Sequence, residues 1–285
     1  MYSSVEESNP KTRNIDTLPT LEVLRLIGDE DALVAGAVRA ELPAIAVVVE
    51  GAVEALSSGG RLIYVGAGTS GRLGVLDAAE CLPTYGVDRE QVVAVLAGGA
   101  EAIASAVENA EDDPEAGALA MRALGVCPAD LVLGIASSGR TPYVVGALRQ
   151  ARMLGAATAA LVGNREGPVA AAAQSVVAPR TGPEAITGST RMKAGTAQKM
   201  VLNMISTAAM IRLGRTYGNL MVDMKPTNDK LRDRSARIVA VAAGVDAQVA
   251  LRALADADSQ IKTAIVMLIR KESPNRARER LARAG

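Results

Sequence analysis

Two short polar turns, each directly after an apolar run, carry residue types that bind phosphate. The first is Val65–Arg72, after Leu62–Tyr64, and the second is Ala136–Pro142, after Leu131–Ile135. A small-residue turn between a strand and a helix lets backbone N–H groups approach an anion, and the helix dipole favours negative charge. Two such turns in one α/β pattern predict a single phosphorylated ligand that is held from two sides.

The first turn supplies close backbone approach and two hydroxyls. Gly68 lets the main chain come near a phosphate, while Thr69 and Ser70 offer side-chain donors and a cap for the next helix. Gly71 stands in a Thr-Ser-Gly-Arg context, and no acidic residue ends the next strand where a ribose would bind, so no nicotinamide cofactor is predicted. Without a ligand, the same residues would form a tight connection to a capped helix.

The second turn is richer in donors. Ser137, Ser138 and Thr141 supply three hydroxyls, and Pro142 suits the first position of the next helix. Arg140 can pair with the phosphate or with a carboxylate of the protein. An N-capping loop without a ligand is again the alternative.

A third polar segment, Thr187–Thr196, opens the longest predicted helix. Ser189 or Thr190 can serve as its N-cap, and Lys193 follows one turn later. Ser189 and Lys193 are therefore added to the predicted phosphate-binding set. The alternative is a capped helix with an exposed lysine.

Because the chain has 0 His and histidine is the usual proton-transfer group near neutral pH, the acid–base groups of an enzyme must be carboxylates, Lys, Tyr or Cys. Two glutamates stand out as candidates. Glu80 ends the helix after the first turn, since Pro83 is expected to force the chain out of it. Ten helical residues separate Glu80 from Ser70, roughly 15 Å, which exceeds the length of a sugar phosphate. Either the helix breaks early, or Glu80 serves the site of a neighbouring subunit. Glu111 lies in an acidic stretch that a solvated loop would also explain.

The composition argues against several classes of protein. The 285 residues carry 31 Lys+Arg and 31 Asp+Glu, so bulk charge predicts neither a nucleic-acid partner nor an acidic membrane partner. The N-terminus lacks a basic segment followed by an apolar core, and the apolar stretch Leu42–Val49 is too short to span a bilayer. The 2 Cys do not make a disulfide framework, and His-ligated zinc is excluded. We expect a cytoplasmic protein without a metal or cofactor.

Short apolar runs that alternate with amphipathic stretches predict an α/β fold with a doubly wound, parallel, five-stranded sheet. Ligands of such sheets bind beyond the carboxyl ends of the strands, where both polar turns fall. We expect a tail over 1–18, a main domain with flanking helices over 19–244, and a small C-terminal helical bundle over 245–285. The predicted strands are Leu62–Val65, Val92–Leu96, Leu131–Ala136, Ala157–Leu161 and Ser175–Ala178.

Helical periodicity accounts for most of the remaining chain, with a kink or split expected at Pro43. The predicted helices span 20–27, about 32–56, 70–81, 101–109, 115–124, 143–154, a short stretch near Val169, about 190–213, 229–244, 246–255, 259–271 and 274–284.

Taken together, the motifs resemble the sugar isomerase (SIS) domain superfamily and, within it, the N-acetylmuramic acid 6-phosphate etherase family, a relative of the glucokinase regulatory proteins. The resemblance runs from about residue 12 to 285, and Gly188–Lys199 is its most specific segment. The other matching segments are Leu62–Gly74, Glu80–Gly86, Ala136–Tyr143 and Gly218–Asp223.

The resemblance implies a bacterial cytoplasmic enzyme of cell-wall recycling. Such an enzyme cleaves the D-lactyl ether of N-acetylmuramic acid 6-phosphate to N-acetylglucosamine 6-phosphate and D-lactate. The resemblance implies Glu80 as the catalytic acid and Glu111 as a second active-site glutamate. Leu82, where the family commonly has Pro, and Asn109, where it frequently has Gly, are conservative departures.

Two other classes share this domain. A sugar-phosphate isomerase uses the same ring opening and C2 proton removal, and a non-catalytic sensor binds the sugar phosphate to regulate a partner. The glucokinase regulatory proteins carry a second sugar isomerase domain, and a DNA-binding regulator needs a basic helix-turn-helix that the acidic segment Asp29–Asp31 does not supply. We expect a homodimer with a shared active site, because the long helices before and after the sheet offer apolar faces.

Overall fold

The computed structural model describes residues 4–105, 107–226 and 228–284. Contacts along the chain divide it into two compact units, Met1–Ala79 with Arg89–Ala209, and Glu80–Asp88 with Met210–Gly285. These boundaries differ from the expected one after residue 244, and the three-part domain division stays a prediction. Residues 1–3 of the expected tail and residue 285 of the expected bundle lie outside the described residues.

Five strands form the sheet of the first unit: β1 (Leu62–Gly66), β2 (Val92–Leu96), β3 (Leu131–Ala136), β4 (Ala157–Val162) and β5 (Ser175–Val177). They are all parallel, in the order β2-β1-β3-β4-β5. β1 and β3 are fully buried, which explains why they read as continuous apolar runs. The predicted doubly wound α/β fold is confirmed.

The strand order reverses between β1 and β3. From β1 the chain moves outward to β2 and then returns to β3 on the other side of β1, where Gly66 pairs with Ile135. Ligands of doubly wound sheets bind beyond the carboxyl ends of the strands at such a point. Both polar turns begin here, so the fold brings the two predicted phosphate loops side by side.

Nine helices begin among the described residues of the first unit: α1 (Thr20–Asp31), α2 (Val34–Ala40), α3 (Leu42–Ser57), α4 (Gly68–Tyr85), α5 (Glu101–Ala104), α6 (Pro114–Ala123), α7 (Pro142–Met153), α8 (Pro168–Ala172) and α9 (Lys193–Arg212). The predicted helix over 32–56 is split into α2 and α3. Pro43 stands in the first turn of α3, where its missing N–H costs no hydrogen bond.

Three expectations about helix ends are wrong, the first being that of α1, which continues to Asp31 instead of ending at 27. Pro83 does not end α4, which continues through it to Tyr85. The left-handed Gly86 (φ 66°) ends this helix, and its N–H bonds the Leu82 carbonyl at 3.0 Å. The helix predicted over 101–109 ends with α5 at Ala104, and Ala106 within that stretch lies outside the described residues.

The N-terminal segment, expected to be a polar tail or an arm, packs against the chain that precedes α9. It forms three 3-10 turns, at Ser4–Glu6, Pro10–Thr12 and Ile15–Thr17. The Asn9 amide donates to the Pro183 carbonyl at 3.3 Å, and the Thr12 hydroxyl donates to the Ala185 carbonyl at 2.8 Å.

Among the described residues, four helices and a small hairpin begin in the second unit. The hairpin joins β6 (Thr216–Tyr217) to β7 (Leu220–Met221), and it was not predicted because strands of two residues show no periodicity. The helices are α10 (Asp229–Ala243), α11 (Ala247–Asp256), α12 (Ile261–Arg270) and α13 (Pro274–Ala284). The C-terminal part of the fold is therefore helical as predicted, but α10, which was expected in the main domain, packs in the same cluster as α11 and α12.

Within the described ranges, no single helix is long and apolar enough to cross a membrane. Two bent helix pairs meet the length and composition criteria jointly, 20–40 with 42–57, and 229–243 with 247–256.

The contact between α6 and α7 gives a test of this packing. A Cβ atom at Gly146 would lie 1.8 Å from the Pro114 carbonyl oxygen, so Gly146→Ala must push the two helices apart. We expect the free energy of unfolding in urea to fall by about 1–3 kcal/mol. Gly36→Ala in α2 meets no atom within 4 Å and should instead stabilise the protein by about 0.5–1 kcal/mol. Equal effects of the two variants would contradict the packing.

Candidate functional site

The first polar turn joins β1 tightly to α4. A Cβ atom at Gly66 would lie 2.7 Å from the Gly71 nitrogen, so both positions need glycine for the strand end to touch the helix start. α4 begins at Gly68, with φ 52°, so Thr69 and Ser70 lie in its first turn rather than serving as its cap. The first N–H groups of a helix have no partner within it and can bind an anion.

The second polar turn presents its hydroxyls before α7. Ser138 Oγ accepts a hydrogen bond from the Arg140 nitrogen at 3.2 Å, which shapes the turn around the left-handed Gly139. Thr141 is the N-cap residue of α7, but its side chain makes no capping hydrogen bond. Its hydroxyl is therefore not used to cap the helix.

Gln198 of α9 joins the two turns. The Ser70 hydroxyl donates to Gln198 Oε1, and Gln198 Nε2 donates to the Ser137 hydroxyl, each at 3.0 Å. All three side chains are buried, with 3% of Gln198 exposed. Sequence reasoning missed this residue. The feature that could have indicated it is a polar amide on the same helix as the buried residues Ala194, Ala197 and Val201.

The third polar segment differs from expectation. α9 begins at Lys193, and its cap is neither Ser189 nor Thr190 but the buried Glu184, whose carboxylate accepts from the Lys193 and Ala194 nitrogens at 2.9 Å each. Burial raises the pKa of the Glu184 carboxyl against the opposing effect of these two N–H groups. A protein carboxylate thus occupies the anion position at this helix N-terminus.

Lys193 is buried and paired. Its side chain is 1% exposed, and its ammonium lies 2.5 Å from Glu30 of α1, which also binds Lys11 of the N-terminal arm. Burial alone would raise the pKa of Glu30, but the hydrogen bonds from Lys193 and Lys11 hold this pKa below its usual value. The geometry favours a structural role for Lys193. That Lys193 and the half-buried Ser189 bind phosphate stays a prediction.

Glu111 lies beside the second turn. Its carbonyl accepts from the Tyr143 nitrogen, in the first turn of α7, at 3.0 Å, and its side chain is exposed. Asn109, two residues earlier, has a left-handed backbone (φ 59°), a conformation that Asn and Gly adopt most readily. The substitution of Asn for the family's frequent Gly therefore suits the backbone.

Arg72 connects the first turn to the chain that leads to Glu111. Its guanidinium donates to the carbonyls of Ala102, Ile103 and Ser105 at 2.9–3.1 Å, at the end of α5. These are the orphan carbonyls of a short helix, which a cation stabilises. Arg72 thus has a structural use within the unit.

Glu80 is exposed and belongs to the second unit. Since α4 is unbroken from Gly68 to Tyr85, the alternative of an early helix break is wrong.

Asp77, one turn before Glu80 on α4, is a buried carboxylate that was not predicted as a site residue. It accepts hydrogen bonds from Tyr64 of β1 at 2.8 Å and from Ser206 and Asn203 of α9 at 3.2 and 3.3 Å. Burial raises its pKa, while the Tyr64 and Ser206 hydroxyls and the charge of Lys199 oppose that rise. This network fixes α4 against the sheet and α9.

The described part of the chain has no group of three or more His, Cys, Asp or Glu side chains that could hold a metal ion.

Comparison with known families and relatives gives consistent matches. Residues 44–152 match the family described as glucokinase regulatory protein N-terminal SIS domain, and residues 99–208 match the SIS domain family. A relative from Cutibacterium acnes named N-acetylmuramic acid 6-phosphate etherase is 53% identical, over 99% of this chain and 93% of its own. A Yersinia pestis relative with the same name is 54% identical, over 97% of this chain and 94% of its own.

Solved structures share the fold. An Escherichia coli protein, solved as a complex with a ligand, matches with a TM-score of 0.52 and 17% identity, over 71% of this chain and 97% of that one. A phosphoheptose isomerase from Francisella tularensis matches with a TM-score of 0.51 and 20% identity, over 68% of this chain and all of that one (100%).

The buried pair of Lys193 and Glu30 predicts a specific loss of stability. Glu30→Gln leaves the Lys193 ammonium buried without its counter-ion and should lower the free energy of unfolding at neutral pH by about 3 kcal/mol. Lys11→Met removes the outer lysine, which is 64% exposed, and should cost at most about 1 kcal/mol.

The pH dependence of unfolding in urea checks the same pair. Because Glu30 has a lowered pKa in the folded protein, its contribution is present above the usual value of 4.5 and is lost as the pH falls. Glu30→Gln should therefore flatten the fall in stability below that pH. If Glu30→Gln lowered the free energy of unfolding no more than Lys11→Met does, the buried pair of Lys193 and Glu30 would not stabilise the fold as inferred.

Proposed function

The chain belongs to the N-acetylmuramic acid 6-phosphate etherase family, and from this premise we propose that its two polar turns bind the phosphate while Glu80 and Glu111 transfer the protons. The protein is an enzyme of amino sugar recycling. It cleaves the D-lactyl ether of N-acetylmuramic acid 6-phosphate and releases N-acetylglucosamine 6-phosphate and D-lactate.

The reaction is an elimination followed by water addition. Lactate leaves C3, which is β to the aldehyde of the open-chain sugar, so removal of the C2 proton allows the C3–O bond to break. The departing lactate oxygen takes a proton. Water then adds to the unsaturated aldehyde, with its hydroxyl on C3 and its proton on C2. One group must accept the C2 proton, and another must protonate the leaving oxygen.

The observation that carries the phosphate site is the Gln198 bridge. Ser70 and Ser137 come from different strand ends, yet one amide holds both hydroxyls at 3.0 Å. Phosphate at this position meets the first N–H groups of α4 at Gly68, Thr69 and Ser70. From the second turn, the hydroxyls of Ser137, Ser138 and Thr141 and the guanidinium of Arg140 donate hydrogen bonds to it. The buried pair with Glu30 favours a structural role for Lys193, so its binding of phosphate, like that of Ser189, stays a prediction.

Glu80 serves as the acid that protonates lactate, and Glu111 serves as the base at C2. The role of Glu111 is supported by its position beside the phosphate loops. Its carbonyl accepts a hydrogen bond from the backbone at the start of α7, which follows the second polar turn directly. A cytoplasmic location is part of the same proposal, because the 2 Cys of the chain do not make a disulfide framework.

Release of D-lactate from N-acetylmuramic acid 6-phosphate tests the two glutamates. Glu80→Gln and Glu111→Gln should each lower kcat by about 10²–10⁴-fold, since each removes one proton-transfer group. Glu90→Gln and Glu108→Gln, which change exposed carboxylates elsewhere on the surface, are the matched controls and should keep activity.

The outcome of this assay separates the candidate reactions. Full turnover by both Glu80→Gln and Glu111→Gln would remove the acid–base assignment. A ketose product without lactate would instead identify a sugar-phosphate isomerase. In deuterated water, the elimination route also requires one deuterium at C2 of the product.

We also propose a homodimer in which Glu80 serves the phosphate loops of the partner subunit. α4 is unbroken, so Glu80 stands ten residues beyond Ser70, roughly 15 Å along the helix. The N-terminal helices support a second copy as the partner, because they expose apolar side chains that a subunit interface would cover: Leu21, Leu24, Leu33, Leu42 and Val47.

Subunit mixing tests the shared site. Glu80→Gln subunits are combined with Ser137→Ala/Ser138→Ala subunits and assayed at substrate concentrations well below the wild-type KM, where each variant alone should be nearly inactive. In an equal mixture half of the dimers are mixed, and each mixed dimer has one intact site, so about a quarter of wild-type activity should return. If no activity returned from mixed dimers of confirmed mass, Glu80 would act within its own chain.

A further inference from the structure

The Gln198 amide holds two serine hydroxyls through chemically different ends. Its oxygen accepts the hydrogen of Ser70, whereas its nitrogen donates a hydrogen to Ser137. A serine hydroxyl has one hydrogen to give and two lone pairs to accept with. The two serine hydroxyls therefore differ in whether they can still donate a hydrogen bond to a ligand.

The hydrogen of Ser70 is already used, because it points at Gln198 Oε1. Ser137 accepts from Gln198, so its own hydrogen stays available to another acceptor. A phosphate oxygen can only accept hydrogen bonds. As long as the amide keeps this orientation, Ser137 can donate to phosphate and Ser70 cannot.

The orientation of the amide follows from what surrounds its nitrogen. Gln198, Ser137 and Thr181 line one small cavity with room for about one water molecule. Thr181 Oγ1 is the buried side-chain polar atom among the described residues that lacks a hydrogen-bond partner. One water in this cavity would have Thr181 Oγ1 and the Gln198 amide within its lining. Such a water would accept the second N–H of the amide while the first donates to Ser137.

We propose that Gln198 is a positioning residue that reserves the Ser137 hydroxyl as the donor to the substrate phosphate and holds Ser70 as a structural tie. This proposal rests on the proposed phosphate site. It assigns the two turns different tasks: the first offers backbone N–H groups, and the second offers hydroxyl hydrogens.

Kinetics with N-acetylmuramic acid 6-phosphate and inhibition by inorganic phosphate test the assignment. Ser137→Ala loses a hydrogen bond to a charged group, so KM and the phosphate inhibition constant should rise by at least about tenfold. Ser70→Ala should raise both by only about two- to threefold. In both variants kcat should change less than KM, because phosphate binding is shared by the ground state and the transition state.

Two changes at Gln198 separate positioning from packing. In Gln198→Glu the carboxylate accepts from both serines, leaves neither free to donate and repels phosphate, so KM should rise on the order of 100-fold. Gln198→Met frees both hydroxyls and should raise KM only several-fold, about 3–10. Because repulsion raises KM for Gln198→Glu in either role, Gln198→Met is the deciding variant: a packing role predicts a KM rise for Met as large as that for Glu, since Met loses the shape and both hydrogen bonds. Gln248→Glu, exposed on α11, is the matched control.

Each outcome has a definite meaning. Equal effects of Ser70→Ala and Ser137→Ala, or a KM rise for Gln198→Met at least as large as that for Gln198→Glu, would overturn the inference while an active wild type keeps the proposed function. A wild type that neither releases lactate nor binds phosphate would overturn both. If the Gln198 variants do not fold, the two serine variants alone decide.

Discussion

The site depends on the parallel pairing of β1 with β3, which brings two polar turns to one edge of the sheet. Gly66 pairs with Ile135, so each strand ends within a residue of its neighbour and each chain then turns into a helix. The glycines at 66 and 71 keep the first turn close to the strand. Gln198 then satisfies a buried hydroxyl from each turn, which water would otherwise have to do.

In the third polar segment, groups that could bind a phosphate bind carboxylates of the protein instead. A helix N-terminus and a lysine are the usual parts of a phosphate site, yet at α9 both are neutralised by the protein's own carboxylates. Glu184 caps the helix, and Glu30 pairs with Lys193. The result is a rigid start for α9. That rigidity is useful, because Gln198 lies on the same helix less than two turns further on.

The sequence predicts the sheet well and the polar contacts poorly. All five strands are predicted to within one residue, since each is a short, mainly apolar run bounded by turn residues. Gln198, Glu184 and Asp77 could not be assigned, because their partners are distant in the chain and a buried polar residue has no period. The prediction that Pro83 ends α4 was wrong for a different reason. A proline near the end of a helix disrupts only the last turn, and α4 tolerates it because Gly86 ends the helix soon afterwards.

In a chain with 0 His the proposed proton-transfer groups are two carboxylates, and this has a consequence for its assembly. Glu80 and Glu111 are both exposed in the single chain. An elimination through a reactive unsaturated aldehyde needs a site that controls access of water, and exposed carboxylates cannot provide that by themselves. The groups that shield these carboxylates from water have to come from the substrate or from another copy of the chain. The apolar side chains that α1–α3 leave exposed make a second copy the simpler source.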